Sequence, residues 1–333
     1  MRAVVVTEKG APEVLQVQER PEPSPGPGEV GIDVAAAGIN FADVMARLGL
    51  YPDSPDLPAV VGYEVAGTVS SLGAGVDGLE VGDRVIAGTR FGGYAERVAA
   101  KAEAVIKLPE ALSFEQGAAI PVNYLTAYLG LVRFGSLQSG ERVLVHAAAG
   151  GVGIAATQIA KHLGAEVLGT ASPGKHDAIR SFGVDQALDY TKPGWEKGLE
   201  KVDVVMDAVG GQSFRRSYDL LRAGGRLVAF GASSVMSGEK RNLVTAARAA
   251  IRMPRFNLIK QMSASKTVIG LNMLTLWDEL GSLEPYMGAI EELLSDGALK
   301  PVVAESFAFE RAPDAHRYLA QRRNVGKVVL TPR

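Results

Sequence analysis

The first third of the chain alternates short apolar runs with glycine- and proline-rich segments, a pattern typical of β-structure. The apolar runs cover residues 4–6, 30–34, 64–70, 84–87 and 105–107. Turns are expected between them, at residues 21–28 and 73–75 and at Gly92-Gly93. Short strands at regular intervals with glycine turns predict a partly open β-barrel.

From residue 113 onward the pattern changes to helices that alternate with strands. Ser113 and Gln116 have the spacing of a capping box and precede an apolar helical stretch that reaches Phe134. Strands are then predicted at 142–146, 166–170, 202–208 and 226–231, with helices at 151–163, 174–182 and 212–222 between them. This alternation implies right-handed crossovers and a doubly wound parallel sheet, so the fold class is α/β. A strand at 267–272, helices near 282–296 and 311–322 and a strand at 327–330 complete the prediction.

The composition is that of a globular protein long enough for two domains. The 333 residues include 47% hydrophobic residues, 22% charged residues and no cysteine, which excludes disulfides, thiol nucleophiles and cysteine-based zinc sites. Basic and acidic residues nearly balance, at 35 and 37, so a small molecule is a more reasonable partner than nucleic acid or a membrane. Only three valines precede Glu8 and Lys9, fewer than a signal-peptide core contains, and we therefore expect a cytoplasmic location.

Residues 232–266 differ from the rest in composition, with apolar residues between seven basic residues and a single acid, Glu239. The basic residues are Lys240, Arg241, Arg248, Arg252, Arg255, Lys260 and Lys266. Three interpretations stay open from the sequence: a lid over a cleft, a helix on a membrane surface, or a solvated helix pair at the domain junction.

A glycine-rich turn follows the predicted strand that ends at His146. The spacing is that of the G-x-G-x-x-G motif, with Ala148 in the first glycine position and Gly150 and Gly153 in the other two. Such a turn lets backbone amides at a helix N-terminus approach a pyrophosphate. Because the motif lies between a strand and a helix, it predicts dinucleotide binding, although a packing turn would have the same composition.

The end of the second strand of this unit bears on the choice of cofactor. An NAD-binding protein would place an acidic residue there for the ribose 2′-hydroxyl. Here residues 169–176, from the end of the strand onward, contain no acid, and the first one is Asp177. Ser172 and Lys175 offer hydrogen-bond donors instead, and an ammonium group suits a 2′-phosphate. The sequence therefore favours NADPH, with a solvated Lys175 at a helix start as the alternative.

Several segments together resemble the zinc-independent quinone oxidoreductase group of the medium-chain dehydrogenase/reductase superfamily, and most of all its vesicle amine transport protein-like branch. The similarity covers essentially the whole chain. The segments are Ala37-Gly-Ile-Asn40-Phe-Ala-Asp43, Leu50-Tyr51-Pro52, Gly62-Tyr63-Glu64-Val-Ala-Gly67, Gly82-Asp83-Arg84-Val85, residues 147–153 and 169–176, Leu188-Asp-Tyr190, Met206-Asp207-Ala-Val-Gly210 and Arg323-Asn324-Val-Gly326-Lys327.

The resemblance implies a split domain arrangement. Residues 1–121 and 267–333 would form a GroES-like catalytic domain, and residues 122–266 a Rossmann domain that binds NADP(H). It also implies a homodimer joined through the edge of the Rossmann sheet, for which the strand 267–272 is well placed.

The resemblance further implies a set of cofactor-binding residues. Gly150, Gly151, Val152 and Gly153 would hold the pyrophosphate; Thr170, Ser172, Lys175 and Tyr190 would meet the adenosine end with its 2′-phosphate. Phe230, Gly231, Leu271, Asn272 and Asn324 would line the nicotinamide side, where Asn40 and Thr126 would approach the ribose or amide.

Two departures from the family pattern concern the chemistry. Zinc-dependent relatives carry a histidine where this chain has Tyr63, and the four histidines here lack the spacing of metal ligands, so we expect no metal. Related reductases often carry a tyrosine where this chain has Met45, which leaves Tyr51 and Tyr63 as the phenols expected to face substrate.

The side-chain roles stay partly open. Tyr51 and Asn40 are the candidate catalytic residues, although a phenol can equally be a core aromatic. Asp43 and Asp207 have structural alternatives, respectively as a helix cap and as an acceptor for nearby amides.

These observations favour a zinc-free enzyme that transfers hydride from NADPH to a quinone or an α,β-unsaturated carbonyl compound. An NADPH-binding sensor or scaffold with little turnover is the alternative, and a zinc alcohol dehydrogenase is a third hypothesis.

Overall fold

The computed structural model describes residues 1–235, 247, 251, 253–281 and 283–333. Four of the seven basic residues of the 232–266 segment, namely Lys240, Arg241, Arg248 and Arg252, lie outside this description. The three interpretations of that segment therefore fall largely outside the described residues.

Strands and helices follow the two-part pattern expected from the sequence. The strands are β1 (Arg2–Val6), β2 (Leu15–Glu19), β3 (Glu29–Ile39), β4 (Ala59–Val60), β5 (Glu64–Leu72), β6 (Arg84–Gly88), β7 (Arg97–Lys101), β8 (Val105–Lys107), β9 (Arg142–Val145), β10 (Glu166–Ala171), β11 (Gln186–Asp189), β12 (Val202–Asp207), β13 (Leu221–Ala229), β14 (Thr267–Gly270), β15 (Val303–Ala308) and β16 (Lys327–Thr331). The helices are α1 (Phe41–Arg47), α2 (Phe114–Gly117), α3 (Pro121–Tyr128), α4 (Gly151–His162), α5 (His176–Ser181), α6 (Gln212–Leu220), α7 (Leu258–Ala264), α8 (Met273–Leu280), α9 (Glu284–Ser295) and α10 (Ala312–Ala320).

The first β-rich unit contains two sheets that enclose an apolar core. One sheet has the strand order β15-β16-β3-β5-β6-β8, with β7 also paired to β3, and the other has the order β2-β1-β4. Their inward-facing residues, among them Ile32, Val65 and Leu330, form one buried cluster. The predicted barrel-like unit is confirmed, and β15 and β16 come to it from the far end of the chain.

The second unit is a six-stranded parallel sheet in the order β11-β10-β9-β12-β13-β14. Every residue of β12 is buried because helices cover both faces of the sheet. The strand order reverses between β9 and β12, and in doubly wound sheets the carboxyl ends of the strands at such a reversal form a ligand-binding crevice. The predicted α/β class and parallel sheet are confirmed.

The predicted domain boundary at residue 267 differs from the observed hydrogen bonding. Thr267–Gly270 pairs in parallel with residues 226–229, so β14 is the edge strand of the parallel sheet rather than a part of the barrel. Helix α9 also belongs with this unit, because Met287 and Ile290 are buried in the same cluster as Leu125 of α3. The chain returns to the barrel only at β15, where Val303 pairs with Lys327.

Other differences concern short elements without a clear signal in the sequence. The strands β2, β4, β7, β11 and β15 and the helices α1 and α8 were not predicted. The single helix predicted from residue 113 to 134 is instead α2, α3 and a π-helical continuation, Leu129–Phe134. A short strand is stabilised chiefly by its neighbours in the sheet, so the pattern within four or five residues is a weak guide to it.

We predict that Gly153→Ala destabilises the protein because a Cβ atom there would lie 2.3 Å from the carbonyl oxygen of Ala147 and 2.7 Å from Cα of Ala148. Both contacts are with backbone, so the expected loss is about 1–3 kcal/mol in the free energy of unfolding. Urea denaturation measures it. Gly288→Ala in α9 is the matched control, because its Cβ would meet nothing within 4 Å and alanine favours a helix. Equal midpoints for the two variants would contradict the packing argument.

Candidate functional site

A cleft of about 790 Å³ lies between the barrel and the carboxyl ends of the parallel strands. Residues from both units line it, and they include every residue predicted to act in catalysis or to bind cofactor or substrate. These are Asn40, Met45, Tyr51, Tyr63, Thr126, Gly150, Gly151, Val152, Gly153, Thr170, Ser172, Lys175, Tyr190, Phe230, Gly231, Leu271, Asn272 and Asn324. The fold thus brings together positions that are up to 284 residues apart, from Asn40 to Asn324.

The glycine turn joins β9 to the first turn of α4 at one side of this cleft. Ala147 has φ of 53°, and the amide of Ala148 donates to the carbonyl of Thr170, so the turn is fixed against β10. Gly151 allows Asn123 to approach, because a Cβ atom at Gly151 would lie 2.4 Å from the Nδ2 atom of Asn123. The free amides at the start of α4 face the cleft side and suit a pyrophosphate.

Lys175 lies in the same cleft and connects the two units. Its Nζ atom donates to the carbonyls of Arg322 and Asn324, at 2.7 and 2.6 Å. Burial lowers the pKa of Lys175, and the neighbouring Arg322 lowers it further. An ammonium group carries three N–H donors, so one remains for an anionic ligand.

A buried polar network includes Asn40 and Lys327, which line the cleft. The Nδ2 atom of Asn40 donates to the Oε1 atom of Glu64 at 2.9 Å, and the Nζ atom of Lys327 donates to the Oδ1 atom of Asn40 at 2.6 Å. Lys327 also forms an ion pair with Glu64, and both side chains are at most 3% exposed. The other oxygen of Glu64 accepts from the amide of Val122 at 2.7 Å. Asn40 is therefore held by two charged groups and has a fixed orientation.

Glu64 and Lys327 were not predicted as residues of the site. A usable signal existed, since each charged residue stands at the start of a strand and directly before a run of buried apolar residues, 65–67 and 328–330. A charge at such a position predicts a buried partner, because an unpaired buried charge is strongly unfavourable. The sequence does not say which charge is the partner, and the two residues are 263 positions apart.

Asp43 is entirely buried and fixes the segment that carries Asn40. Its carboxylate accepts hydrogen bonds from the amides of Asn40 and Gly62, at 2.7 and 3.0 Å, and from the hydroxyl of Tyr94 at 2.9 Å. Burial raises the pKa of Asp43 to about 7, against the hydrogen bonds from Asn40 and Tyr94, which lower it. The structural alternative stated for Asp43 is confirmed.

Asp207, at the end of β12, likewise accepts hydrogen bonds from neighbouring groups of the protein. One carboxylate oxygen accepts from the hydroxyls of Ser213 and Ser217, at 2.8 and 2.6 Å, and the other from the amide of Val209 at 2.8 Å. Ser217 also contacts the Nε2 atom of His146 at 3.0 Å, and burial lowers the pKa of this histidine. These bonds fix the loop after β12 against β9.

Tyr51 and Tyr63 line the barrel end of the cleft and, with Phe91 packed against Tyr63, form an aromatic wall. The ring centroid of Tyr63 lies 6.4 Å from that of Tyr51 and 5.3 Å from that of Phe91. Burial raises the pKa of Tyr51 to about 12, and it raises the pKa of Tyr63 still further. Both phenols are therefore protonated at neutral pH and available as donors.

Two contacts hold the loops of this wall to the other unit. Asn272 caps the start of α8 by accepting from the amide of Leu274, and its Nδ2 atom donates to Asp53, which follows Tyr51 in the chain, at 3.1 Å. Arg90, next to Phe91, forms an ion pair with Asp278 of α8 at 2.8 Å. Helix α8 therefore contacts both loops that carry the aromatic wall.

Two other kinds of site are absent from the described residues. Nowhere in that part of the chain do three or more His, Cys, Asp or Glu side chains group in a way that would hold a metal ion. Nor does any helix within it have the length and apolar character needed to cross a membrane.

Comparison with known proteins agrees with this architecture. The family described as alcohol dehydrogenase GroES-like domain matches residues 26–110, and the family described as zinc-binding dehydrogenase matches residues 182–330. The human synaptic vesicle membrane protein VAT-1 homolog is 38% identical over 340 residues, covering 100% of this chain and 86% of the human protein. The chain belongs to the zinc-independent quinone oxidoreductase group of the medium-chain dehydrogenase/reductase superfamily, in the VAT-1 branch.

Solved structures of this superfamily share the whole fold. A mycobacterial protein solved in complex with NADPH is 33% identical, has a TM-score of 0.86 and covers 100% of both chains. The quinone oxidoreductase of Escherichia coli, also complexed with NADPH, is 33% identical with a TM-score of 0.84 and the same coverage. The family resemblance stated from the sequence motifs is confirmed.

We predict that Lys327→Met destabilises the protein by about 3–5 kcal/mol, because it leaves the carboxylate of Glu64 buried without its cationic partner. The double variant Lys327→Met/Glu64→Gln removes both charges, and we expect it to recover most of the loss. Guanidinium denaturation gives the three free energies of unfolding. Lys107→Met, which removes an exposed partner of Asp83, is the control and is expected to change nothing measurable. A single variant as stable as the wild type would contradict a stabilising role for the network.

Proposed function

We propose that the protein is a zinc-free, NADPH-dependent oxidoreductase that reduces a quinone or an α,β-unsaturated carbonyl compound. One observation carries this proposal. A helix N-terminus with a glycine turn and a lysine lies at one end of the cleft, and an apolar wall with two protonated phenols lies at the other. The NADPH bound in the mycobacterial and E. coli relatives supports the same cofactor here.

The residues of the cleft fit NADPH in both shape and charge. The turn formed by Gly150, Gly151 and Gly153 would hold the pyrophosphate, since side chains at two of these glycines would collide with Asn123 or the backbone at Ala147. Lys175 would meet the 2′-phosphate. Bound NADPH would supply a hydride to the acceptor at the nicotinamide end.

The remaining predicted contacts belong to the same proposal. Thr170, Ser172 and Tyr190 would surround the adenosine end, and Val152 would pack against the pyrophosphate. Thr126, Phe230, Gly231, Leu271, Asn272 and Asn324 would surround the nicotinamide. Asn40 would orient the ribose or amide, because Glu64 and Lys327 fix its own side chain.

The side chains present favour an acceptor that needs no metal. Tyr63 occupies the position at which zinc-dependent relatives carry a histidine ligand, and the chain has no cysteine. A quinone or enone is already electron-poor at the carbon or oxygen that is reduced, so it depends less on a Lewis acid than an alcohol does. Catalysis would then consist mostly of positioning, with Met45, Tyr51 and Tyr63 around the acceptor and Tyr51 or water as the proton source.

We further propose that the protein forms a homodimer through β14. This strand has one neighbour, β13, and is the outer strand of the parallel sheet as described, so its other edge is available for pairing with a second copy. We assign the domains by the sheets: the barrel contains the first part of the chain together with β15 and β16, and the Rossmann unit extends through β14 to α9.

We expect the purified protein to oxidise NADPH in the presence of quinones or enones, as followed by the absorbance of the reduced nicotinamide. A chelator should leave the rate unchanged, because no metal takes part in the proposed reaction. NADP⁺ with simple alcohols is the comparison, for which we expect no turnover. Tight NADPH binding without turnover of any acceptor would instead favour a sensor or scaffold.

We predict that Lys175→Ala weakens the binding of NADPH by roughly 10-fold to 100-fold and that of NADH much less, because only NADPH carries the 2′-phosphate. Calorimetric titration of both cofactors measures the two dissociation constants. Lys161→Ala removes a lysine that pairs with Asp185 and is the control, with no expected effect on either constant. An equal loss for both cofactors would mean that Lys175 acts only by joining the 322–324 segment to the Rossmann unit.

A further inference from the structure

We infer that the phenol of Tyr63 donates the hydrogen bond that holds the carbonyl oxygen of a planar, conjugated acceptor in the cleft. This inference rests on the proposed function and adds to it a residue that selects the class of acceptor. The observation behind it is that the hydroxyl group of Tyr63 has no hydrogen-bond partner among the described residues.

The hydroxyl of Tyr63 is a buried donor without a partner. The residue is 5% exposed and lines the cleft, and its oxygen makes no hydrogen bond with any described residue. A buried polar group left unpaired costs about 1–3 kcal/mol, and folded proteins retain few of them. A ligand atom that accepts a hydrogen bond in the cleft would satisfy this group.

Hydrogen bonds fix the backbone on both sides of Tyr63, and the rings of Tyr51 and Phe91 pack against its ring. The amide of Gly62 donates to Asp43, the carbonyl of Gly62 accepts from the hydroxyl of Thr89 at 3.0 Å, and the amide of Thr89 donates to the carbonyl of Tyr63 at 2.8 Å. Gly62 has φ of 104°, and a Cβ atom there would lie 2.6 Å from the ring of Tyr94. The donor is therefore oriented before any ligand arrives, which lowers the cost of ordering it.

The neighbours of Tyr63 indicate a flat, unsaturated ligand. Tyr51 meets its ring edge to face, with an interplanar angle of 77°, and Phe91 packs on it at 52°. Met45 lines the same cleft, and a methionine sulfur packs favourably against aromatic rings. Since Tyr51 and Met45 offer apolar surface in the same cleft as the buried phenol of Tyr63, a ring that carries a carbonyl oxygen complements them better than a charged or polyhydroxylated ligand.

A donor at this position also suits the proposed reduction. When an enone takes up a hydride at its β carbon, the electron pair of the C=C bond moves and negative charge develops on the carbonyl oxygen. A preorganised donor in a dry site stabilises that charge more than it stabilises the neutral carbonyl. Because burial raises the pKa of Tyr63, its phenol keeps its own proton, and water supplies the proton that completes the enol or ketone.

Tyr63→Phe tests the inference, because it removes only the oxygen. We expect the dissociation constant of 1,4-naphthoquinone for the NADP⁺ complex to rise roughly 10-fold, as for one lost hydrogen bond, and kcat/KM for its reduction to fall about 100-fold. The binding of naphthalene, which has the ring system without the oxygens, should stay unchanged, as should the binding of NADPH. The melting temperature should not fall, because no hydrogen bond within the protein is lost.

Tyr124→Phe is the matched control, since its hydroxyl is buried outside the cleft and donates to Gln158 at 2.8 Å. It should lower the melting temperature and leave naphthoquinone binding unchanged, which is the opposite pattern. The inference is overturned if Tyr63→Phe binds naphthoquinone as the wild type does, if it loses naphthalene equally, or if the wild type binds no quinone. Tyr63-dependent quinone binding without turnover would support the inference while contradicting the proposed reductase function.

Discussion

The buried ion pair between Lys327 and Glu64 is the interaction on which the arrangement of the cleft depends. Lys327 begins the last strand of the barrel and Glu64 begins a central strand of the same sheet. Their ion pair therefore joins the last part of the chain to its first third. The second oxygen of Glu64 accepts from Val122, at the start of the helix that leads into the parallel sheet. Next to this pair, the amide of Gly326 donates to the carbonyl of Ala149 at 2.9 Å. The glycine turn and the barrel are thereby held at one fixed separation.

The cleft that results has two chemically different ends. At the Rossmann end, backbone amides and Lys175 provide positive potential, and side chains are kept away by glycines that have no room for a Cβ atom. At the barrel end, Tyr51 and Tyr63 provide apolar surface with phenol donors, and Phe91 packs against Tyr63. A dinucleotide that lies across the switch point has its pyrophosphate at the first end and its reactive ring toward the second. This chemical difference between the two ends of the cleft is the physical reason to expect hydride transfer from a nicotinamide rather than phosphate chemistry.

Where a residue acts through its local backbone, the sequence was a reliable guide. The turn at residues 150–153 follows a strand and begins a helix, and its glycines meet the backbone contacts that the motif requires. The carboxylate of Asp43 accepts a hydrogen bond from the amide of Asn40, three positions earlier, at the start of α1, as the spacing of the two residues indicated. The barrel and the parallel sheet were also predictable, because periods of hydrophobicity are set by which faces of an element are buried. The short strands β7, β11 and β15 were missed because their pairing partners, more than their own residues, determine them.

The sequence by itself determined the two-part fold and the glycine turn between β9 and α4, since each depends on residues close together in the chain. Only the tertiary structure decided that Lys327 is the partner of Glu64, that β14 joins the parallel sheet, that Asn272 contacts Asp53, and that the hydroxyl of Tyr63 has no partner among the described residues. These are properties of pairs of atoms brought together from distant parts of the chain. A hydrogen bond or a missing one depends on positions within a few tenths of an ångström, which only the packed chain defines.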